Sequence, residues 1–311
     1  MKNFRNLMKM LTLALSAFVF FISVSAQERS SEKTGALLWK ITGNGLEHPS
    51  YIFGTHHLFP LSFLDSVAGV KQAFVESSQM IGELVMSDME MLGVELQKAG
   101  MMPKDTTWQM LLAEDDYLFV DEQLTAFFGV GLQALSMLKP AMVSMTYSVM
   151  FYQKTFPGMN PGEAVDVWFQ QQAWAREIPV VGLETVHEQT AALFDVISLK
   201  QQAEDLICTL KNTEHALYAA RKMNRLYRSA DLAAMAEILR EESPCPMSAE
   251  QEAAINNERN RRWLEKLPIL MADKPSFVAV GCLHLAGEAG ILTGLEKLGY
   301  TVEAIHRITD F

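Results

Sequence analysis

The chain has 311 residues, 49% of them apolar, a formal net charge of −11 and three cysteines. That length allows one large domain or two modest ones, and the acidic balance argues against a nucleic-acid partner, because the phosphate attraction would carry the wrong sign. Cys208, Cys245 and Cys282 lack the spacing of a zinc cluster and are too few for a disulfide framework; in an oxidising compartment Cys208 and Cys245 could pair.

The first residues read as an address. Lys2, Arg5 and Lys9 lead into an apolar run over 11–24, and Val24, Ser25 and Ala26 supply the small residues of a cleavage site. Residues 1–26 are read as a signal peptide cut after Ala26, with an uncleaved anchor as the alternative, and 27–311 as the working domain in the periplasm or outside the cell. No cysteine follows the apolar run, which argues against a lipid anchor. No later segment has the length to cross a bilayer, so no stable membrane span is expected after cleavage.

In chain order, residues 37–42 read as a strand, Asn44 and Gly45 as a turn, and 51–54 as its hairpin partner. The spacing predicts a helix over 63–75 and a short strand over 80–85. Glu83 is the oddity of that strand. A carboxylate buried there needs a metal or an arginine beside it, whereas on a half-exposed strand it simply faces water, the usual case for a lone acidic residue.

From about 87 to 175 the pattern is helical and rich in methionine, which reads as a large helical insertion between early and late strands. Helices are predicted after Thr107, from Glu114 to 128, from Pro140 to 152 and from residues 161–163 onward. Met137, Met142, Met145 and Met150 at helical spacing read as core filler sooner than as a flexible binding surface.

Residues 178–184 form another short strand, ending in Glu184 and followed by a helix over 186–197. The recurring order of strand, helix and strand predicts an α/β fold: a central mixed sheet with crossover helices. Asp166 before this unit and His187 after it read as surface or capping residues, with a supporting place in a site as the other possibility. Residues 200–240 read as two or more amphipathic helices. Ser248 starts a helix to 267, on which Glu258 and Arg262 stand four apart for a local ion pair while Arg259 lies on another face.

The last unit is the most informative. Small and β-branched residues at 276–280 run into Gly281, Cys282, Leu283 and His284; Gly287 and Gly290 follow, then a helix to Leu298, a stop at Gly299 and a strand over 301–308. A histidine at the carboxyl end of a buried strand lies where open α/β sheets place their binding crevice. Gly54, Thr55, His56 and His57 repeat the arrangement, so two strand-end histidines point to one shared site.

These residues also carry a family likeness. Gly54 to His57, Gly182 with Leu183, Glu184 and Thr185, Glu258 with Arg259, Asn260 and Trp263, and the Gly281 to Gly287 segment followed by Gly290, Leu295, Gly299, Tyr300 and Val302 resemble the TraB/GumN family, related to the Tiki Wnt-inactivating proteases. The resemblance runs from about residue 37 to the end. It implies an α/β fold with two Gly-x-x-His strand ends facing one another and, in the Tiki branch, metal-dependent peptide cleavage. Residue by residue, it implies His57, His284 and Glu83 as metal ligands and Glu83, Arg259 and Asn260 as catalytic groups. His56 falls at a variable position of the motif, and Glu184 at a position without an assigned role. The match at Glu83 reverses the solvent-facing reading given above.

Two imidazoles and a carboxylate would suit manganese, cobalt, zinc or iron and leave a position open for water. Arg259 or an amide of the 287–290 loop would then stabilise an oxyanion, and Glu288 could shuttle the proton. There is no His-Glu-x-x-His helix, so an ordinary zincin is excluded. The expectation is a secreted or periplasmic metal-dependent hydrolase acting on a peptide or small-molecule substrate, its oligomeric state open. The alternatives are a protein of the same fold that binds a metal, haem or small ligand without turnover, and a structural protein whose histidines are satisfied core groups.

Overall fold

The computed structural model describes residues 35–87, 89–159, 163–238 and 243–306. The signal segment expected at 1–26 lies outside the described residues. Six strands form one sheet: β1 (Leu38–Gly43), β2 (Ser50–Thr55), β3 (Gln79–Gly82), β4 (Val180–Gly182), β5 (Ser276–Gly281) and β6 (Tyr300–Ile305), in the spatial order β4-β3-β5-β2-β1-β6. β1 pairs antiparallel with β2, as the hairpin reading expects, and with β6. Strands β2, β3, β4 and β5 run parallel to one another. The sheet is therefore mixed, and its parallel half is joined by helical crossovers.

The described helices are α1 (Val70–Glu76), α2 (Met89–Ala99), α3 (Trp108–Leu111), α4 (Glu114–Phe128), α5 (Pro140–Thr155), α6 (Val165–Ala175), α7 (Val186–Phe194), α8 (Leu199–Lys211), α9 (Thr213–Arg228), α10 (Leu232–Ile238), α11 (Ala249–Glu252), α12 (Glu258–Asp273) and α13 (Ile291–Lys297). Helices α2 to α6 separate β3 from β4 in the chain, which is the helical insertion. Within it Met142 and Met145 are buried as core filler, whereas Met137 is exposed.

Several boundaries differ from the sequence reading for physical reasons. The helix expected over 63–75 is broken into a 3-10 turn, Leu61–Ser66, and α1, because Gly69 takes a left-handed conformation between them. The helix from Ser248 begins with a capping box to Gln251, passes through a π turn at Ala253–Asn257 and runs on past Pro268 to Asp273. On α12 the ion-pair partner of Glu258 is Arg261, at 3.2 Å, and not Arg262. Cys208 and Cys245 are joined in a disulfide with Cα atoms 5.7 Å apart; Cys282 is free and buried.

Every residue of β2 and of β5 is buried. Phe53, Phe74, Phe169 and Phe277 pack ring to ring across these strands and the helices α1 and α6. This apolar centre is what allows charged groups to be held without water at the strand ends just beyond it.

Candidate active site at four parallel strand ends

The four parallel strands stop at one edge of the sheet, and each delivers one ionisable side chain there. Glu184 follows β4, Glu83 follows β3, His284 follows β5 and His57 follows β2, in the order in which the strands lie. Register keeps the ends level: Gly82 pairs with Gly182 and Ala279, and Thr55 with Gly281. Glu83 is thus not inside its strand, as the sequence reading placed it, but one residue past the end, where a side chain leaves the ladder and turns to the crevice.

Glycine is needed where the two histidine motifs meet. A Cβ on Gly54 would stand 2.8 Å from the Leu285 side chain and 3.0 Å from that of Cys282. A Cβ on Gly281 would meet Glu83 Oε1 at 3.3 Å, His284 Cδ2 at 3.5 Å and His57 Nε2 at 3.7 Å. Both motif histidines and Glu83 therefore surround a single point, and any side chain at 281 would intrude on it.

Arg259, projecting from α12, fills the middle of the cluster. Its Nη2 donates to Glu83 Oε2 at 2.7 Å and to Glu184 Oε1 at 2.6 Å, and its Nε to both oxygens of Glu184 at 3.1 Å. Nη1 donates to the Ile255 carbonyl at 3.0 Å and faces His284 Nε2 at 3.1 Å. A guanidinium has five N–H donors, and this one has five directions of use. Trp263 lies beneath it, 4.8 Å from its centre, and also packs against His284. Gln189 on α7 donates to Glu83 and Glu184 together, at 3.2 and 3.0 Å, and the Gly281 N–H donates to Glu83 Oε1 at 2.8 Å.

These contacts set the charges. Burial alone would raise the Glu83 carboxyl, but Arg259, His284 and the Gly281 amide outweigh it and hold the group at about 2. Glu184 is pushed up by burial against the pull of the same arginine, so Glu83 is the firmly ionised partner. Burial, with Arg259 adding to it, drives His284 down to about 3. Neutral His284 has both ring nitrogens committed: its Nδ1–H donates to Asn260 Oδ1 at 2.7 Å, and Nε2 accepts from Arg259. Asn260 is itself fixed by donating to the carbonyls of His284 and Ala289.

His57 is held differently. Its Nδ1 lies 2.5 Å from Asp166 Oδ2, close enough for one proton to be held between the pair, although the two atoms are not aligned as an ordinary hydrogen bond. Burial moves the partners in opposite directions, His57 down to about 4 and Asp166 up to about 8, so a neutral acid and a neutral imidazole share that proton at pH 7. His57 and Glu83 keep 6% and 9% of their surface exposed, against 2% for Arg259 and none for His284. Glu83 and His57 are thus less enclosed than Arg259 and His284.

The sequence model of the TraB/PrgY/gumN family matches residues 37–304. The chain belongs to the TraB/PrgY/gumN family. No curated protein and no solved structure matches it.

In this TraB/PrgY/gumN protein, His57, Glu83, Glu184, Arg259, Asn260 and His284 come together, and three other candidates do not. His56 is buried among the rings of Phe59, Tyr152 and Tyr227. His187 is exposed, and Glu288 stands in solvent with Lys297 as its partner, at 3.3 Å, apart from the cluster. Asp166, read as a surface or capping residue, is instead 4% exposed and bonded to the site. The burial of α6 on the sheet reverses that reading, and no local spacing announces it. Gln189 carried no signal beyond its position five residues after Glu184.

The metal that the resemblance implies does not fit these side chains as they are arranged. Both nitrogens of His284 and both oxygens of Glu83 are already committed, and a guanidinium stands between them. Among the described residues no group of three His, Cys, Asp or Glu is placed to hold a metal ion. The oxyanion role expected of Arg259 meets the same obstacle, because its donors are in use. An open cleft of about 130 Å³ lies elsewhere, lined by Ser144, Leu193, Asp205, His215 and Ile255 among others, and none of the strand-end groups lines it.

Proposed function

We propose that this chain is a hydrolase whose working end is His57, oriented by Asp166, and whose inner end, Arg259 with its two glutamates and His284, is the rigid support of that base. The observation that carries the reading is the unequal engagement of the two motif histidines. His284 is locked on both nitrogens, whereas the described contacts of His57 engage its Nδ1, leaving Nε2 directed at the point above Gly281.

The chemistry follows from this chain's own groups. With Asp166 ionised, its carboxylate holds the Nδ1–H proton, so Nε2 is an acceptor. Nε2 takes a proton from a water molecule, the water oxygen bonds to a carbonyl carbon, the carbon–nitrogen bond breaks, and the proton passes from His57 to the departing amine. Peptides are the substrates to test first, because the resemblance to the Tiki branch implies them. The periplasm or the cell exterior is the proposed location: the basic and apolar leader supports it, and so does the Cys208–Cys245 disulfide, since such bonds persist in oxidising compartments. Among the described residues no helix is long and apolar enough to cross a membrane.

The test is cleavage of a peptide library by the mature chain at several pH values, beside His57→Ala and Asp166→Asn. Cleavage that both substitutions reduce by about a hundredfold or more supports the reading. Cleavage indifferent to His57→Ala, or none at any pH, rejects it. One observation favours a second reading, ligand binding without turnover: the cluster is nearly closed to solvent. A peptide that binds in a His57-dependent manner and is recovered intact would establish that instead.

A further inference from the structure

The groups that meet Arg259 are those that would otherwise bind a metal ion. Glu83 Oε2 at 2.7 Å, Glu184 Oε1 at 2.6 Å and His284 Nε2 at 3.1 Å arrive from three different strand ends and converge on one guanidinium. Two carboxylates and an imidazole lone pair are a ligand set for a divalent ion of the manganese-to-zinc series. The arginine meets them with a planar array of donors that matches carboxylate geometry, and it carries a charge that does not depend on supply from solution.

The backbone holds that cation in place. Ile255, in the π turn Ala253–Asn257, presents its carbonyl to Arg259 Nη1 four residues on, and Trp263 closes the opposite face. A π turn widens a helix by one residue and is frequent at functional sites; here it lies directly before the helical turn that carries Arg259. Seating the guanidinium is the visible use of the irregularity.

We propose that Arg259 is the resident cation of this site and that it excludes divalent metal, so that a metal ion and the guanidinium are alternative occupants of one place. Removing the guanidinium leaves two buried carboxylates and an imidazole facing the space it filled; spread as they are around the guanidinium they do not yet form a metal site, and drawing together on an ion would make one. The proposal does not depend on the hydrolase reading, because it is judged by metal uptake and not by turnover.

The experiment uses the mature full chain, stripped of metal and titrated with cobalt(II), zinc(II) and manganese(II). Metal content is read by mass spectrometry and cobalt coordination by visible absorption, for wild type, Arg259→Ala, Arg259→Gln and the double variant Arg259→Ala with Glu83→Gln. The wild type is expected to take up far less than one equivalent. Arg259→Ala is expected to take up about one equivalent, with cobalt bands of a nitrogen and oxygen site, and the double variant to lose it. Should Arg259→Ala be unfolded alone, refolding on addition of metal supports the proposal; should it stay unfolded with every ion, Arg259→Gln is read in its place. A wild-type chain that binds one equivalent, removed by His57→Ala or His284→Ala, overturns the proposal. So does a folded Arg259→Ala or Arg259→Gln chain that takes up none.

Discussion

The two Gly-x-x-His ends are alike in sequence and unlike in surroundings. His284 is sealed: Asn260 holds one nitrogen, Arg259 the other, and Trp263 covers the ring. His57 is paired through Nδ1 with a buried acid and keeps 6% of its surface exposed, where His284 keeps none. A motif therefore fixes where an imidazole is delivered, at the end of a parallel strand, while the groups packed against it decide what it does. Here one histidine is tied into the scaffold on both nitrogens and the other on Nδ1, which is why the proposed reading gives the chemistry to His57.

The largest test of the sealed end is Arg259→Ala, which leaves Glu83 and Glu184 buried without their cation. We expect a loss of about 3–5 kcal/mol in urea unfolding, and only partial recovery in Arg259→Lys, which cannot supply five donors. Next, His284→Ala should cost about 3 kcal/mol, since it opens a cavity and leaves Asn260 and Arg259 each short of a partner. His57→Ala should cost about 1 kcal/mol while removing turnover. Equal stability losses at the two histidines would erase the distinction. Gly281→Ala, which pushes a methyl toward Glu83, His284 and His57, should destabilise by about 1–3 kcal/mol.

The pH dependence sharpens the same contrast. His56, His57 and His284 are held neutral by burial, so below about 6.5 the unfolded chain binds three protons that the folded chain refuses. Asp166 acts the other way: raised to about 8, it keeps a proton in the folded chain that the unfolded chain has lost. Between pH 8 and 6.5 stability should rise as pH falls. Below 6.5 the three histidines outweigh the one acid and stability should decline, by about 2.7 kcal/mol per pH unit for the two net protons. Glu83, depressed to about 2, adds stability above its unfolded value of 4.5 and steepens the loss between 4.5 and 2. Chemical denaturation across this range should place the maximum near pH 6.5, and Asp166→Asn should flatten the alkaline limb. The smallest effect expected is at Glu288→Gln, within about 0.5 kcal/mol and without change in activity, because that carboxylate is solvated.

Much of this could be read from the residues. Short apolar runs ending in glycine, at 54, 182 and 281, mark three of the four parallel strands, and the histidines or carboxylates just past them mark the crevice. Arg259 stood out because it lay off the helix face that carries the local ion pair. What could not be read is long-range. Asp166 and Gln189 sit on helices where sequence shows only a polar residue in an amphipathic pattern, and only packing of α6 and α7 on the sheet makes them buried partners. The metal expectation rested on ligand types, and ligand types alone do not reveal that an arginine from a distant helix stands among them.

The most direct test of the different roles of the two histidines is their protonation, read by long-range nitrogen–proton NMR on histidine-labelled protein from about pH 5 to about pH 9. The account predicts that His284 stays neutral with its proton on Nδ1 throughout, and that His57 passes from the Nε2–H to the Nδ1–H form near pH 8 as Asp166 ionises. Two histidines that titrate together near their ordinary value, or a His284 that changes tautomer while His57 does not, would contradict it.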